Sequence, residues 1–412
     1  MFEAVAPARL GISFRWLLGA AVINNLGDGI MLAAGPLLIA SLTRDPLLVS
    51  LAVLLQQLPF LLFGFFAGAV TDRMDRRRIV VIVDLLRALA LIALAGTIVA
   101  GRVSIGVVFV MMFLLGTAET FADTAAQTLL PGIVARPDLG IANARTQGAF
   151  VTANQLVGPP IGAFLFAAGT AWPFGVNAVC FTLGAVLIRR ISVSRTVLAD
   201  TDGARRPMRH EIAEGLSWLW HHPPMRTLAL TIIAFNVTFG ASWSVLILYS
   251  RERLEMGEVG FGLLTSAGAI GGLVGTASYG WLERRFDLSD LMRAGLVIET
   301  LTHLALALTT TPWVALTVMG VFGAHAFVWG TTSTTVRQRA VPDQLLGRVT
   351  SVYMVGVVGG LVVGSLLGGL LARVWGITAP FWFGFIGSAA LVVLMWRELR
   401  HIVHASEEAP NS

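Results

Sequence analysis

The sequence predicts an all-α membrane protein, with twelve transmembrane helices in two pseudo-symmetric six-helix bundles. Three observations carry this. Apolar residues make up 56% of the 412-residue chain and charged residues only 13%, with a mean hydropathy of +0.77. A soluble domain carries about 25% charged residues, so a water-soluble fold has no way to hide this much apolar surface. The apolar residues also fall into about twelve runs, each long enough to cross a bilayer as a helix of about 20 residues. Finally, the second half of the chain repeats features of the first in the same order.

In the first half the runs cover roughly 14–42, 47–71, 79–100, 102–124, 140–168 and 171–189. In the second half they cover roughly 225–250, 258–282, 290–310, 312–335, 346–373 and 377–397. Asn24 matches Asn236 and Gly68 matches Gly280, both at an offset of 212. Pro137-Asp138 matches Pro342-Asp343 at 205, Gly158-x-x-x-Gly162 matches Gly364-x-x-x-Gly368 at 206, and Pro173-Phe174 matches Pro380-Phe381 at 207. Small loop insertions account for the drift. The expected domains are 1–190, a polar linker 191–224 and 225–412. Two parallel six-helix repeats form a known transporter architecture, with the substrate site between them near the midplane.

Within the linker, Ile212, Leu216 and Leu219 recur at helical intervals in a segment rich in charge and tryptophan. This reads as a short amphipathic helix lying on the inner membrane face. Counting alternate loops, one side collects Arg9, Arg15, the Arg73–Arg78 cluster, Arg136, the Arg189–Arg226 stretch and most of the later arginines. The other side holds Arg44, Arg102, Arg251, Arg253 and Arg373. The positive-inside rule makes the first side cytoplasmic, with both termini inside a cytoplasmic (inner) membrane. The N-terminal apolar run is too long for a signal-peptide core and reads as the first span.

The net charge of +5 comes from arginine, since the chain has no lysine. The basic excess therefore reads as topology and contact with membrane lipid, and no nucleic-acid partner is expected. A phosphate-binding loop of the Gly-x-x-x-x-Gly-Lys-Ser/Thr type needs a lysine, so this chain does not hydrolyse ATP through one. Cys180 is the single cysteine, which excludes an intrachain disulfide, and no metal-ligand cluster is apparent. No cofactor is expected beyond a proton gradient.

Between the second and third runs lies Gly68-Ala-Val-Thr-Asp72-Arg73-Met-Asp75-Arg76-Arg77-Arg78. This stretch resembles the loop 2–3 signature of the major facilitator superfamily, with Asp75 where the family pattern has glycine. The resemblance covers nearly the whole chain and points to the branch of macrolide-efflux and enterobactin-exporter-like permeases. Further residues carry it: Asn25-Leu-Gly-Asp28-Gly29, Asp84-x-x-Arg87, Leu130-Pro131-x-x-Val134 leading to Ala142-Asn143-Ala144, and Ile212-Ala-Glu214-Gly215-x-x-Trp218-Leu219. Gly158-Pro159-Pro160-Ile161-Gly162 in the fifth run is similar to the core of the family exporters' antiporter motif. Physically it offers close packing through small residues and a proline kink. The fuller pattern has glycines where this chain has Arg145 and Asn154.

An ionisable group at membrane depth costs at least ~2.5–3.5 kcal/mol and is a functional candidate by default. Asp28 lies about 21 Å along the first span at ~1.5 Å per residue, deep in the hydrocarbon. The resemblance puts that span on the central cavity, which makes Asp28 a proton-binding carboxylate. The alternative is an aspartate satisfied by Asn24, Asn25 or nearby backbone. Glu299 and His303 share a helix face, and His325 sits in the tenth run. These three are proton-coupling candidates or, alternatively, structural hydrogen-bonded groups. Gly68, Asp72, Arg73, Arg76, Asp84, Arg87, Glu119 and Asp123 are expected to form an ion-pair network at an inner gate, with anchoring to lipid headgroups as the alternative. Asn24, Asn25, Asn236, Phe239, Trp243 and Trp329 are candidates for lining the substrate cavity, although most membrane aromatics pack or sit at the interface.

The expected function is secondary transport, namely proton-coupled efflux of amphipathic small molecules by alternating access, with the chain as a monomer. A siderophore or lysolipid-like carrier is the alternative within transport. An intramembrane enzyme is the alternative from another class, but no catalytic constellation such as His-Glu-x-x-His supports it.

Overall fold

The computed structural model describes residues 8–192 and 208–399. The side chains of Phe65, Ala69, Asp72, Arg73, Arg136, Met208, Arg209 and Asp343 fall outside that description, as does linker segment 193–207. The described chain is helical almost throughout. In order, the helices are α1 Gly11–Leu42, α2 Pro46–Arg73, α3 Arg76–Val99, α4 Ile105–Leu129, α5 Leu139–Ala168, α6 Trp172–Arg189, α7 Met208–His221, α8 Pro223–Glu252, α9 Glu258–Arg285, α10 Leu288–Leu308, α11 Pro312–Ala340, α12 Asp343–Trp375 and α13 Ala379–Met395. Eleven of the described helices are long and apolar enough to cross a membrane. α13 is a shorter apolar helix of 17 residues and stands in the place of the expected twelfth span.

Local chemistry sets the helix ends. The Asp75 side chain caps α3 by accepting from the Arg77 and Arg78 amides at 3.0 and 3.3 Å. This is how the turn closes without the family's glycine, because a carboxylate satisfies two of the first unpaired amides of the helix. Ser104 caps α4. Proline opens α6, α8, α11 and α13, where its missing N–H costs nothing. Gly101 after α3 and Gly376 after α12 have φ of +66° and +90°, a conformation that a side chain would strain.

The described residues group into two compact units, one of 8–44, 51–192 and 256–266, the other of 45–50, 208–255 and 267–399. In the first unit α1 packs on α5 and α6, and α3 packs on α4 and α6. In the second, α8 packs on α12 and α13, and α10 packs on α11 and α13. The same four pairings thus occur in each unit, counted from its first span. The repeated glycines explain the first of them. A Cβ on Gly158 would meet the Gly29 backbone at 2.5–2.7 Å, and one on Gly162 would meet the Ile30 backbone. In the second unit Gly364 and Gly368 press in the same way on the backbone of Val237 and Ala241 in α8. Small residues let two backbones approach where no side chain fits.

α5 is not a uniform helix. Residues Phe150–Val157 form a π-helical segment between α-helical Leu139–Ala149 and Gly158–Ala168. Pro159 and Pro160 follow it and bring no N–H to the preceding turn, which favours widening. The Leu156 carbonyl, four residues before Pro160, accepts from Ser266 Oγ at 2.9 Å.

The amphipathic segment is helical, but it docks on protein. Leu219 joins the core of the second unit, while Leu216 and Trp220 stay exposed. Arg348 of α12 reaches Glu214 at 2.8 Å and Glu211 at 3.6 Å. The Gly215 backbone lies against Arg348, where a Cβ would come within 2.9 Å. His222, at the end of α7, stacks on Trp218 at 4.7 Å and accepts from the Met225 amide at 3.4 Å. Burial pushes its imidazole below the ordinary value, which keeps Nδ1 available to accept. Arg348→Ala is expected to raise amide exchange across Met208–His221 several-fold and leave the spans protected. Because these ion pairs are partly exposed, the global cost should stay within about 1 kcal/mol.

Candidate functional site

The first unit gathers an unbalanced set of charges, with Asp84 and Arg87 buried and Asp28, Glu119 and Asp123 partly or fully open to the cleft beside them. Asp28 of α1 forms an ion pair and hydrogen bond with Arg87 of α3. One turn back on α3, Asp84 lies 4.0 Å from the Arg87 guanidinium and accepts from Asn24 Nδ2 at 2.8 Å. Glu119 and Asp123, one turn apart on α4, act electrostatically on Asp28 and Arg87. Arg87 is 4% exposed and Asp84 is fully buried. The guanidinium also lies 3.8 Å above the Phe181 ring of α6, a favourable seat for a cation. One arginine therefore serves a group of four carboxylates, two of them in direct reach of it.

A cleft of about 930 Å³ opens beside this cluster, within the first unit. Asn25 and Asp28 line it from α1, Glu119, Asp123 and Gln127 from α4, and Gln147, Phe150 and Asn154 from α5. The π segment of α5 thus contributes Phe150 and Asn154 to the wall. A void of about 10 Å³, with room for about one water, lies behind Asp28 between Arg87, Glu119, Gln56 and Asn177. The Asn177 amide is fully buried and has no hydrogen-bond partner among the described residues. Asn177 and Phe181 were not singled out from sequence. The signal was present, because Asn177 interrupts an apolar run and Phe181 sits one turn later on the same face.

Sequence reading placed Asp84, Arg87, Glu119 and Asp123 in a gate network next to the Arg76–Arg78 cluster and treated Asp28 separately. The structure joins these four to Asp28. Arg76 donates to the Thr128 carbonyl at 3.0 Å and Arg77 to the Ile191 carbonyl at 2.9 Å. Gly68 faces open space. The side chains of Asp72 and Arg73 lie outside the described residues.

The second unit holds a different cluster. Glu299, His303 and His325 are all buried, with His325 Nε2 3.0 Å and His303 Nδ1 3.4 Å from the two Glu299 carboxylate oxygens. An aromatic row runs beside it. Phe239 stacks on Phe322 at 5.4 Å, packs on Trp243 at 5.2 Å and on Phe235 at 6.3 Å, and Phe235 stacks on Trp329 at 6.0 Å. Phe239, Trp243, Phe322 and His303 border a small pocket of about 20 Å³. Phe235 and Phe322 were missed from sequence, although Phe235 lies four residues before Phe239 and shares its face.

Three of the expected cavity residues are turned elsewhere. Asn24 is engaged with Asp84. Asn236 is buried and donates to the Ile232 carbonyl of its own helix. Trp329 is 4% exposed and donates from Nε1 to the Met292 carbonyl at 3.2 Å. These are packing roles, as expected where small residues bring helices close.

The chain is similar to known transporters over nearly all its length. The profile of the transmembrane secretion effector family matches residues 3–411. The multidrug efflux pump Tap of Mycolicibacterium fortuitum is 29% identical over 384 residues, covering 89% of this chain and 90% of Tap. The enterobactin exporter EntS of Escherichia coli is 25% identical over 401 residues, covering 94% of this chain and 93% of EntS. Among solved structures, a bacterial homologue of the iron transporter ferroportin in its inward-facing state superposes with a TM-score of 0.72 at 19% identity, covering 95% of this chain and 98% of the homologue. The chain therefore belongs to the transmembrane secretion effector family of the major facilitator superfamily, and it is a multi-pass membrane transporter, not an enzyme.

Proposed function

We propose that this transporter exports amphipathic, cationic small molecules from the cell in exchange for protons, by alternating access in the cytoplasmic membrane with both termini inside. One observation carries this reading: Asp28, Glu119 and Asp123 line an open cleft, and Arg87 is the cation set against them. Like charges set close together at membrane depth disfavour one another's ionised form. The excess carboxylates therefore favour holding protons or a cationic guest, and the two compete for the same oxygens. Substrate entering the cleft displaces protons, and protons arriving later displace substrate. Asp28 is the pivot, because it alone among the cleft carboxylates is also bonded to Arg87. Arg87 holds the carboxylate in place and is released from it whenever Asp28 takes a proton.

The likeness to the Tap multidrug efflux pump supports efflux. An anionic siderophore-like cargo, the alternative weighed from sequence, would meet a like-charged wall. The test uses inverted membrane vesicles, a cationic dye and a neutral analogue of the same shape. Dye uptake should follow an imposed proton gradient, collapse with an uncoupler, and vanish in Asp28→Asn while membrane insertion is unchanged. Gradient-independent uptake in the wild type would indicate facilitated diffusion. Equal uptake of the neutral analogue would remove the charge argument.

A further inference from the structure

Glu299 is fully buried in α10. His303 stands one turn on along the same helix, and His325 faces it from α11. α13, which also packs on α10, has no ionisable side chain between Ala379 and Met395. From α8, Tyr249 has its hydroxyl committed to the Leu306 carbonyl at 2.6 Å. Asp290 and Arg293, earlier on α10, pair with each other at 3.6 Å.

Hydrogen-bond chemistry restricts this cluster. His303 Nδ1 lies 3.0 Å from the Glu299 carbonyl, and a carbonyl only accepts, so Nδ1 carries a hydrogen. The 3.0 Å contact between His325 Nε2 and Glu299 Oε2 needs one hydrogen, on either atom. His325 Nδ1 is buried without a hydrogen-bond partner among the described residues. With both imidazoles neutral and the carboxyl ionised, one negative charge sits fully enclosed at membrane depth. One added proton makes the cluster neutral and keeps every contact. Two states that differ by a proton thus share one geometry.

The cluster is also tied to the aromatic row. The Phe322 ring meets His325 edge to face at 5.4 Å and stacks on Phe239 at 5.4 Å. His303 borders the small pocket together with Phe239 and Trp243. Gly384 lets α13 close over the His303 ring, since a Cβ there would meet Nε2 at 2.5 Å. We propose that Glu299, His303 and His325 form a second proton-binding site, separate from the acidic cleft of the first unit.

The test needs no transport assay, so it is independent of the role given to Asp28. Purified protein in detergent, labelled with ¹⁵N-histidine, is titrated between about pH 5 and 8.5, across the ordinary histidine range. The His303 and His325 signals are identified by their loss in His303→Gln and His325→Gln. Both should change together in the wild type, and in Glu299→Gln the common step should be lost. If Glu299→Gln does not fold, His325→Gln replaces it, and the His303 signal should then change at a different pH from the wild type. The coupled change should persist in Asp28→Asn, and its loss there would overturn the separation of this site from the acidic cleft. Two histidine signals that never change across the range would overturn the proton site.

Discussion

Arg87→Gln is expected to be among the most damaging single exchanges in the first unit. Arg87 is the cation bonded to Asp28 and lies closest to Asp84, and it is stacked on Phe181. Removing one partner of a buried pair costs about 3–5 kcal/mol, because the remaining charge has nowhere to go. That is a large share of the total stability of a typical domain, about 5–15 kcal/mol. The variant should lose most of its monodisperse fraction on size exclusion and all gradient-driven uptake. Arg87→Gln combined with Asp28→Asn should recover much of the monodisperse fraction without recovering transport, because the carboxylate paired with Arg87 is gone while the exchange site is still missing. A single Arg87→Gln variant as stable as the wild type would mean that Asp28 is already protonated at rest. The ion-pair account of the cluster would then fall.

The fold was legible because its signals are long and repeated. Twenty-residue apolar runs, arginine-rich turns and glycines at a near-constant offset each survive small errors in boundary placement. The site was legible one residue at a time, as charges that an apolar helix would not carry without use. Asp28, Asp84, Arg87, Glu119 and Asp123 were all found that way. What sequence could not supply was their grouping. Asp84 and Arg87 sit within three turns of the arginine cluster and read as part of it. In the structure their side chains point the other way around α3, toward Asn24 and Asp28. The π segment of α5 was hidden for a similar reason: Pro159 and Pro160 announce a kink, but its form depends on which neighbour takes up the freed carbonyl, here Ser266. Asn24 and Asn236 form a true repeat in sequence, yet they do different things. Asn24 bonds an aspartate across helices, and Asn236 has no acid opposite and turns to its own backbone.

The second large effect concerns backbone contact between α1 and α5. Gly158 and Gly162 touch α1 where Gly29 and Ile30 present bare backbone, and the atoms in the way are backbone, which cannot swing aside as a side chain can. Gly162→Val should therefore push the two helices apart along this seam, at a cost of order 1–3 kcal/mol or more for overpacking. The seam adjoins the site, since Asn154 on the same stretch of α5 lines the cleft and its backbone meets Gly29, next to Asp28. Thermal unfolding should shift down by several degrees, and dye uptake should fall even in vesicles carrying equal amounts of protein. Gly68→Ala, at a position with open space around it, provides the control and should leave the unfolding temperature unchanged. The second unit supplies an internal comparison. Gly364→Val, against Val237 and Ala241 of α8, should cost similar stability because the same seam recurs there. It should leave the pH response of dye binding at the acidic cleft intact, because the carboxylates described as lining that cleft come from α1 and α4. If Gly162→Val were as stable as the wild type, α1 and α5 would have room to separate. The close approach would then not be what fixes Asn154 beside Asp28 on the cleft wall.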